Sequence, residues 1–128
     1  MKRYLAVVLA IMLVESGCRE QQEAASIDQF KAGEQLYSTY CAHCHEIENG
    51  IGPHLTPKVL ATRVTAQSLF NYNKRNMPYE AGNTLTEAQY WSVTAYLLIR
   101  HGLMEAETHL TPQNALEITL ASPPQHAQ

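Results

Sequence analysis

Cys41-Ala42-His43-Cys44-His45 is the stretch that decides how this chain is read. It spells C-x-x-C-H, the spacing at which a c-type haem is attached. Two thiols one helical turn apart can each add to a vinyl group on the same porphyrin edge. The histidine directly after the second thiol then lies over the iron and ligates it through an imidazole nitrogen. Two other chemistries use a C-x-x-C pair. One is a redox-active dithiol, which expects a strand–helix context, and no strand pattern precedes Cys41. The other is zinc, which needs a second Cys/His pair, and the remaining cysteine, Cys18, lies far upstream. His43 and His45 could complete a zinc set with Cys41 and Cys44 only as a strained tetrahedron. The motif therefore favours one covalent haem c.

The surroundings set the compartment. Met1-Lys2-Arg3 is basic, and Tyr4 to Val14 is an unbroken apolar run of eleven residues. That run fits the core of an export signal and falls short of the ~20 residues of a membrane-spanning helix. Glu15-Ser16-Gly17-Cys18 resembles a bacterial lipobox: Ser16, Gly17 and Cys18 match, and Glu15 departs from the usual apolar residue. Residues 1–17 thus read as a lipoprotein-like signal peptide and the location as periplasmic, with membrane attachment through a lipid on Cys18. The alternative is cleavage near Gly17 or after Ala24/Ala25, giving a soluble periplasmic protein. Lipidation accounts for Cys18, otherwise an odd free thiol in an exported chain. The formal charge is −3, and losing residues 1–17 removes Lys2, Arg3 and Glu15, which makes the chain more acidic. Lys and Arg are scattered, so nucleic-acid binding is excluded and partners are not docked by a strongly basic face.

Residues 18–26 are polar and read as a linker, with Ser26 and Gln29 at capping-box spacing to start a helix. That helix puts Phe30, Gly33, Tyr37 and Tyr40 on one face and leads into the motif. Gly50, Gly52, Pro53 and Pro57 mark a loop. A short helix is expected at Val59–Arg63 and another from Thr65 to about Lys74. Pro78 pushes Met77 into an extended conformation. Thr86 and Gln89 form a second capping-box spacing, opening a largely buried helix over Glu87–Arg100, with Gly102 at its C′ position. Residues 104–128, with Pro112, Pro123 and Pro124, read as an extended C-terminal tail lying partly on the surface and frayed at its end. The folded core, 27–103, is small enough to need a staple, which a covalent haem would supply.

Over roughly residues 27–103 the chain resembles a class I cytochrome c. Gly33 and Tyr37 stand eight and four positions before Cys41, as the family's glycine and aromatic do. Tyr96 matches the aromatic of the last helix, which crosses closely over that glycine. Gly52-Pro53 and Met77-Pro78 match the family's two further dipeptides. The resemblance implies an all-α fold of three to five helices wrapped around one haem attached through Cys41 and Cys44. It implies His45 as one axial ligand, with the Pro53 carbonyl fixing the tautomer of its ring, and Met77 as the other. A thioether stabilises ferrous iron and raises the potential, and two filled axial positions leave no site for oxygen. His54 is the rival ligand. Met104 is poorly placed, His43 faces outward, and His101, His109 and His126 read as solvated. Tyr72, Trp91 and Arg75 are candidates for haem contact, with core or surface roles competing. The segment from Met77 to Leu98, followed by Leu110-Thr111-Pro112-Gln113-Asn114 and Ile118-Thr119-Leu120, also resembles c-type domains that accompany or are fused to quinoprotein dehydrogenases and similar periplasmic oxidoreductases.

The function implied is one-electron transfer without catalytic residues, not an enzyme: a periplasmic carrier between a dehydrogenase or membrane complex and a downstream cytochrome or oxidase. The alternative is a haem sensor, or a haem subunit of a larger oxidoreductase with a labile sixth ligand.

Overall fold

In the computed structural model the described residues form the helices α1 Lys2–Tyr40, α2 Ala42–His45, α3 Pro57–Ala61, α4 Ala66–Asn76 and α5 Glu87–Arg100. Backbone is described for residues 2–120 and side chains for 19–120; the events expected at the leader and at the Cys18 thiol, and His126, lie outside these. Among the described residues there is no strand, only an isolated bridge between Thr65 and Thr119. Among them, too, no helix is long and apolar enough to cross a membrane.

The first helix differs from expectation. It runs unbroken through 18–26, where a linker was expected. Arg19 to Ala25 are helix formers with no breaker among them, so nothing stops the helix there. Ser26 is not its N-cap: the side chain is 1 % exposed and its hydroxyl donates to the Glu23 carbonyl at 2.8 Å. Gln29 does not reach back to a cap either, but bonds the C-terminal segment.

The other helices follow their signals closely. α3 begins two residues earlier than expected because Thr56 caps it and Pro57 occupies the first turn. Thr65 caps α4, its hydroxyl accepting from the Ser68 N–H. Thr86 and Gln89 form a reciprocal capping box on α5. That helix ends at Arg100 and is followed by Gly102 at φ 66°, with the Gly102 N–H on the Ile99 carbonyl and the Leu103 N–H on the Leu98 carbonyl.

The core forms where α1 and α4 pack on α5. At the α1–α5 crossing Gly33 faces the backbone of Ser92, and a Cβ on it would sit 2.1 Å from the Ser92 carbonyl oxygen. Tyr96 lies beside this contact, its ring 5.2 Å from Phe30 and 5.3 Å from Tyr37 between centroids. Phe70 stacks on Trp91 at 3.7 Å, joining α4 to α5.

Over residues 104–120 the expected surface tail is instead a strap that belongs to this core, while its expected frayed end, 121–128, lies outside the described residues. Leu110, Ala115 and Leu120 are each at most 1 % exposed. Gln29 holds Leu110 by both main-chain groups, donating to its carbonyl at 2.8 Å and accepting from its N–H at 2.9 Å. The carbonyls of Ile118 and Ala115 accept the N–H groups of Ala66 and Gln67, orphan donors of the first turn of α4. Leu120 N–H bonds the carbonyl of Val64, a branched residue held at φ 69°.

Candidate haem site

The C-termini of α1 and α4 open onto one cavity of about 610 Å³. Cys41, Cys44, His45, Pro53 and Met77 all line it. α1 stops at Tyr40 and the short α2 carries the motif, with the Cys44 and His45 N–H groups bonded to the Cys41 carbonyl. Both cysteines are free and half-buried. Burial pushes the Cys41 thiol up to about 11, with the neighbouring Cys44 adding to the shift.

His45 is 8 % exposed, and its Nδ1 lies 2.7 Å from the Pro53 carbonyl oxygen. A carbonyl only accepts, so Nδ1 carries the proton and Nε2 keeps its lone pair. The loop after the motif makes this possible by folding back on it. Gly52 N–H bonds the Cys44 carbonyl. A Cβ on Gly52 would lie 2.7 Å from His45 Cε1 and 2.8 Å from Nδ1, so only glycine lets Pro53 approach. Behind the motif Glu46 pairs with Arg100 of α5, whose guanidinium also donates to the Tyr96 hydroxyl. Burial first, then the Glu46 carboxylate, pushes the Tyr37 phenol well above its ordinary range.

On the other wall Met77 has φ −124° and ψ 146°, the extended conformation a following proline imposes. Its N–H bonds the Asn73 carbonyl at 2.9 Å, and its carbonyl accepts from the Tyr90 hydroxyl at 2.8 Å. Leu55, Val59, Leu60, Leu69, Val93 and Leu97 supply apolar lining.

The rival residues fall elsewhere. His54 is exposed and is not among the lining residues. Met104, 6 % exposed, is core filling. His43 is exposed at the cavity rim. His101 and His109 are half-buried, not fully solvated as expected. Of the three candidates for haem contact, Tyr72 lines the cavity, Trp91 does not, and Arg75 is exposed with Nε on the Asn71 carbonyl. Trp91 Nε1 is buried without a hydrogen-bond partner. Arg63, which no sequence pattern singles out, lines the cavity with its guanidinium 3.5 Å over the Tyr72 ring. Asn73 and Tyr90 also line it and are almost fully buried.

These residues fit a haem. The cavity falls within the ~300–1,000 Å³ usual for cofactor sites. Its lining is largely apolar, and its donors are two thiols one turn apart, an imidazole with a fixed tautomer and a thioether. Among the described residues no group of three or more His, Cys, Asp and Glu side chains is disposed to hold a metal ion.

A helical domain with C-x-x-C-H on the wall of such a cavity defines a c-type cytochrome domain. The chain belongs to the family described as cytochrome c oxidase, cbb3-type, subunit III, whose model matches residues 28–97, just over half of it. No curated protein and no solved structure matches it. The family carries haem-based electron transfer, and with it the need for redox partners.

Proposed function

We propose that this protein is a periplasmic one-electron carrier holding a single haem c through Cys41 and Cys44, with His45 and Met77 as axial ligands. It would take electrons from a dehydrogenase or membrane complex and pass them to a downstream cytochrome or oxidase. The observation that carries this reading is the His45–Pro53 hydrogen bond, made possible by Gly52, on the cavity that Met77 also lines. When bound, the haem supplies reversible one-electron chemistry at its iron.

The chain's own residues do the rest. Pro53 keeps the proton of His45 on Nδ1 and Nε2 free to ligate. The aliphatic lining excludes water, which limits the reorganisation that accompanies a change of charge. Tyr40, Ile51 and Tyr79 combine high exposure with a place at the mouth of the cavity. They offer an apolar rim for a small, transient contact with a redox partner. In this reading residues 1–17 are an export signal and a lipid on Cys18 tethers the domain to a membrane. Between Cys18 and the first buried side chain, Ser26, α1 would act as a stiff leash of about 12 Å.

The test is optical spectroscopy of protein produced with haem-maturation machinery: oxidised, reduced, and reduced under carbon monoxide, beside Met77→Ala. A low-spin c-type spectrum with the weak ferric Met–iron band is expected. The variant should lose that band and bind carbon monoxide. Attached haem that lacks the band and binds carbon monoxide in the wild type would instead identify a sensor or a catalytic haem subunit.

A further inference from the structure

Tyr90 is the largest of the fully buried side chains, 1 % exposed, and it carries a hydroxyl. A buried phenol needs a partner, and this one has two, both in the loop after α4. The hydroxyl donates to the Met77 carbonyl at 2.8 Å and is approached by the Leu85 N–H at 3.5 Å. One side chain on α5 thus holds both ends of the loop 77–85.

The bond to Met77 is part of a closed circuit. Met77 N–H donates to the Asn73 carbonyl at 2.9 Å. The Asn73 amide donates to Thr94 Oγ1 at 3.1 Å, and the Thr94 hydroxyl donates to the Tyr90 carbonyl at 2.8 Å. The Tyr90 hydroxyl returns to the Met77 carbonyl. Asn73, Thr94 and Tyr90 are 8 %, 0 % and 1 % exposed, so water is poorly placed to replace any lost member. Tyr90 itself is fixed from the other side, because it follows the Thr86–Gln89 capping box and its N–H bonds the Thr86 carbonyl. The main chain of Met77 is therefore gripped at both its polar groups. The two grips are joined through α5.

We propose that Tyr90 is a positioning residue whose hydroxyl keeps Met77 at the iron and so sets how fast the sixth coordination position opens to an external ligand. This rests on Met77 being that ligand. The phenol acts on the methionine's main chain and not on its thioether. The wall of the cavity would then open only when the circuit breaks.

The experiment uses the ferric haem protein, mixed with excess imidazole while the Met–iron band is followed in time. Wild type, Tyr90→Phe, Met77→Ala and Leu110→Ala are compared. Tyr90→Phe keeps the ring and removes one buried hydrogen bond, so imidazole should displace Met77 about tenfold faster. Leu110→Ala weakens the fold at the strap, away from the loop, and should leave that rate unchanged. An unchanged rate in Tyr90→Phe beside a Met77→Ala that lacks the band and binds at once would overturn the role of Tyr90 and keep the ligand assignment. A Met77→Ala indistinguishable from wild type would overturn the assignment itself, and the proposal with it. Equal acceleration in Leu110→Ala would reduce the effect to general instability and also overturn it. Should Tyr90→Phe not fold, Thr94→Val breaks the same circuit without touching the phenol and should raise the rate; no rise there would refute the proposal.

Discussion

Gly33→Ala should destabilise this protein although alanine is the better helix former. The two effects can be set against each other. Alanine in the interior of α1 gains about 1 kcal/mol in intrinsic propensity. Its Cβ would lie 2.1 Å from the Ser92 carbonyl oxygen, 2.7 Å from the Ser92 carbonyl carbon and 2.7 Å from Tyr96 Cβ, where real contacts do not fall below 3.0 Å. α1 and α5 must therefore part by close to an ångström, and main-chain atoms cannot step aside as a flexible side chain would. Overpacking of this kind costs about 1–3 kcal/mol. The separation also loosens Phe30 and Tyr37 from Tyr96, contacts worth about 0.5–1.5 kcal/mol each. The net loss should be about 2–3 kcal/mol, a large share of the stability of a small domain. Urea unfolding followed by far-UV circular dichroism measures it. Adding Ser92→Ala should not rescue the variant, because the obstructing oxygen belongs to the main chain. A Gly33→Ala protein as stable as wild type, or more stable, would mean that propensity wins and that the helices do not cross this closely.

Val64→Gly should raise stability by about 1 kcal/mol, since valine at φ 69° is strained and its side chain is 60 % exposed; a lower melting temperature would refute this. Gln29→Ala strands the N–H and carbonyl of the buried Leu110 and should cost about 2–3 kcal/mol in urea unfolding, with faster proteolysis within 105–120. Burial, aided by Arg100 and opposed by Glu46, holds the His101 imidazole below its ordinary value. The unfolded chain then binds the proton more readily, so stability should fall as pH drops below about 6.5, and His101→Gln should flatten the profile there.

Features encoded locally were legible in the sequence. The motif 41–45, the capping box on α5 and the extended Met77 depend on neighbours within a few residues. Gly33 and Tyr96 were legible through resemblance, and the physical reason is the close approach at Ser92. What escaped depends on distant partners. Ser26 and Gln29 satisfy the capping pattern in sequence, yet in the structure one turns back into its own helix and the other binds a residue 81 positions away. Prolines near the C-terminus suggested a loose tail, whereas Leu110, Ala115 and Leu120 are buried by meeting α1 and α4, with no period to announce it. Arg63 over Tyr72 and the Tyr90–Met77 bond likewise join residues from separate elements, so each side chain alone read as surface or core.

The strap ties together, at a distance from the cavity, the helices that line it. The family match ends at residue 97, so this braces the domain with chain beyond the matched segment. It grips α1 at Gln29 and α4 at Ala66 and Gln67. Gln29 lies twelve residues before Cys41, and Ala66 lies eleven before Met77. At the helical rise both grips sit about 16–18 Å from the cavity end of their helix. The two helices that deliver the motif and Met77 are thus tied together at matched depth, with α5 packed against both. A brace so placed fixes the base of the frame, while Pro53 and Tyr90 fix side chain and main chain at its mouth. The two kinds of constraint should separate experimentally: Gln29→Ala should lower global stability while leaving the spectrum of the folded protein unchanged, and Tyr90→Phe should alter the spectroscopic kinetics out of proportion to any loss of stability.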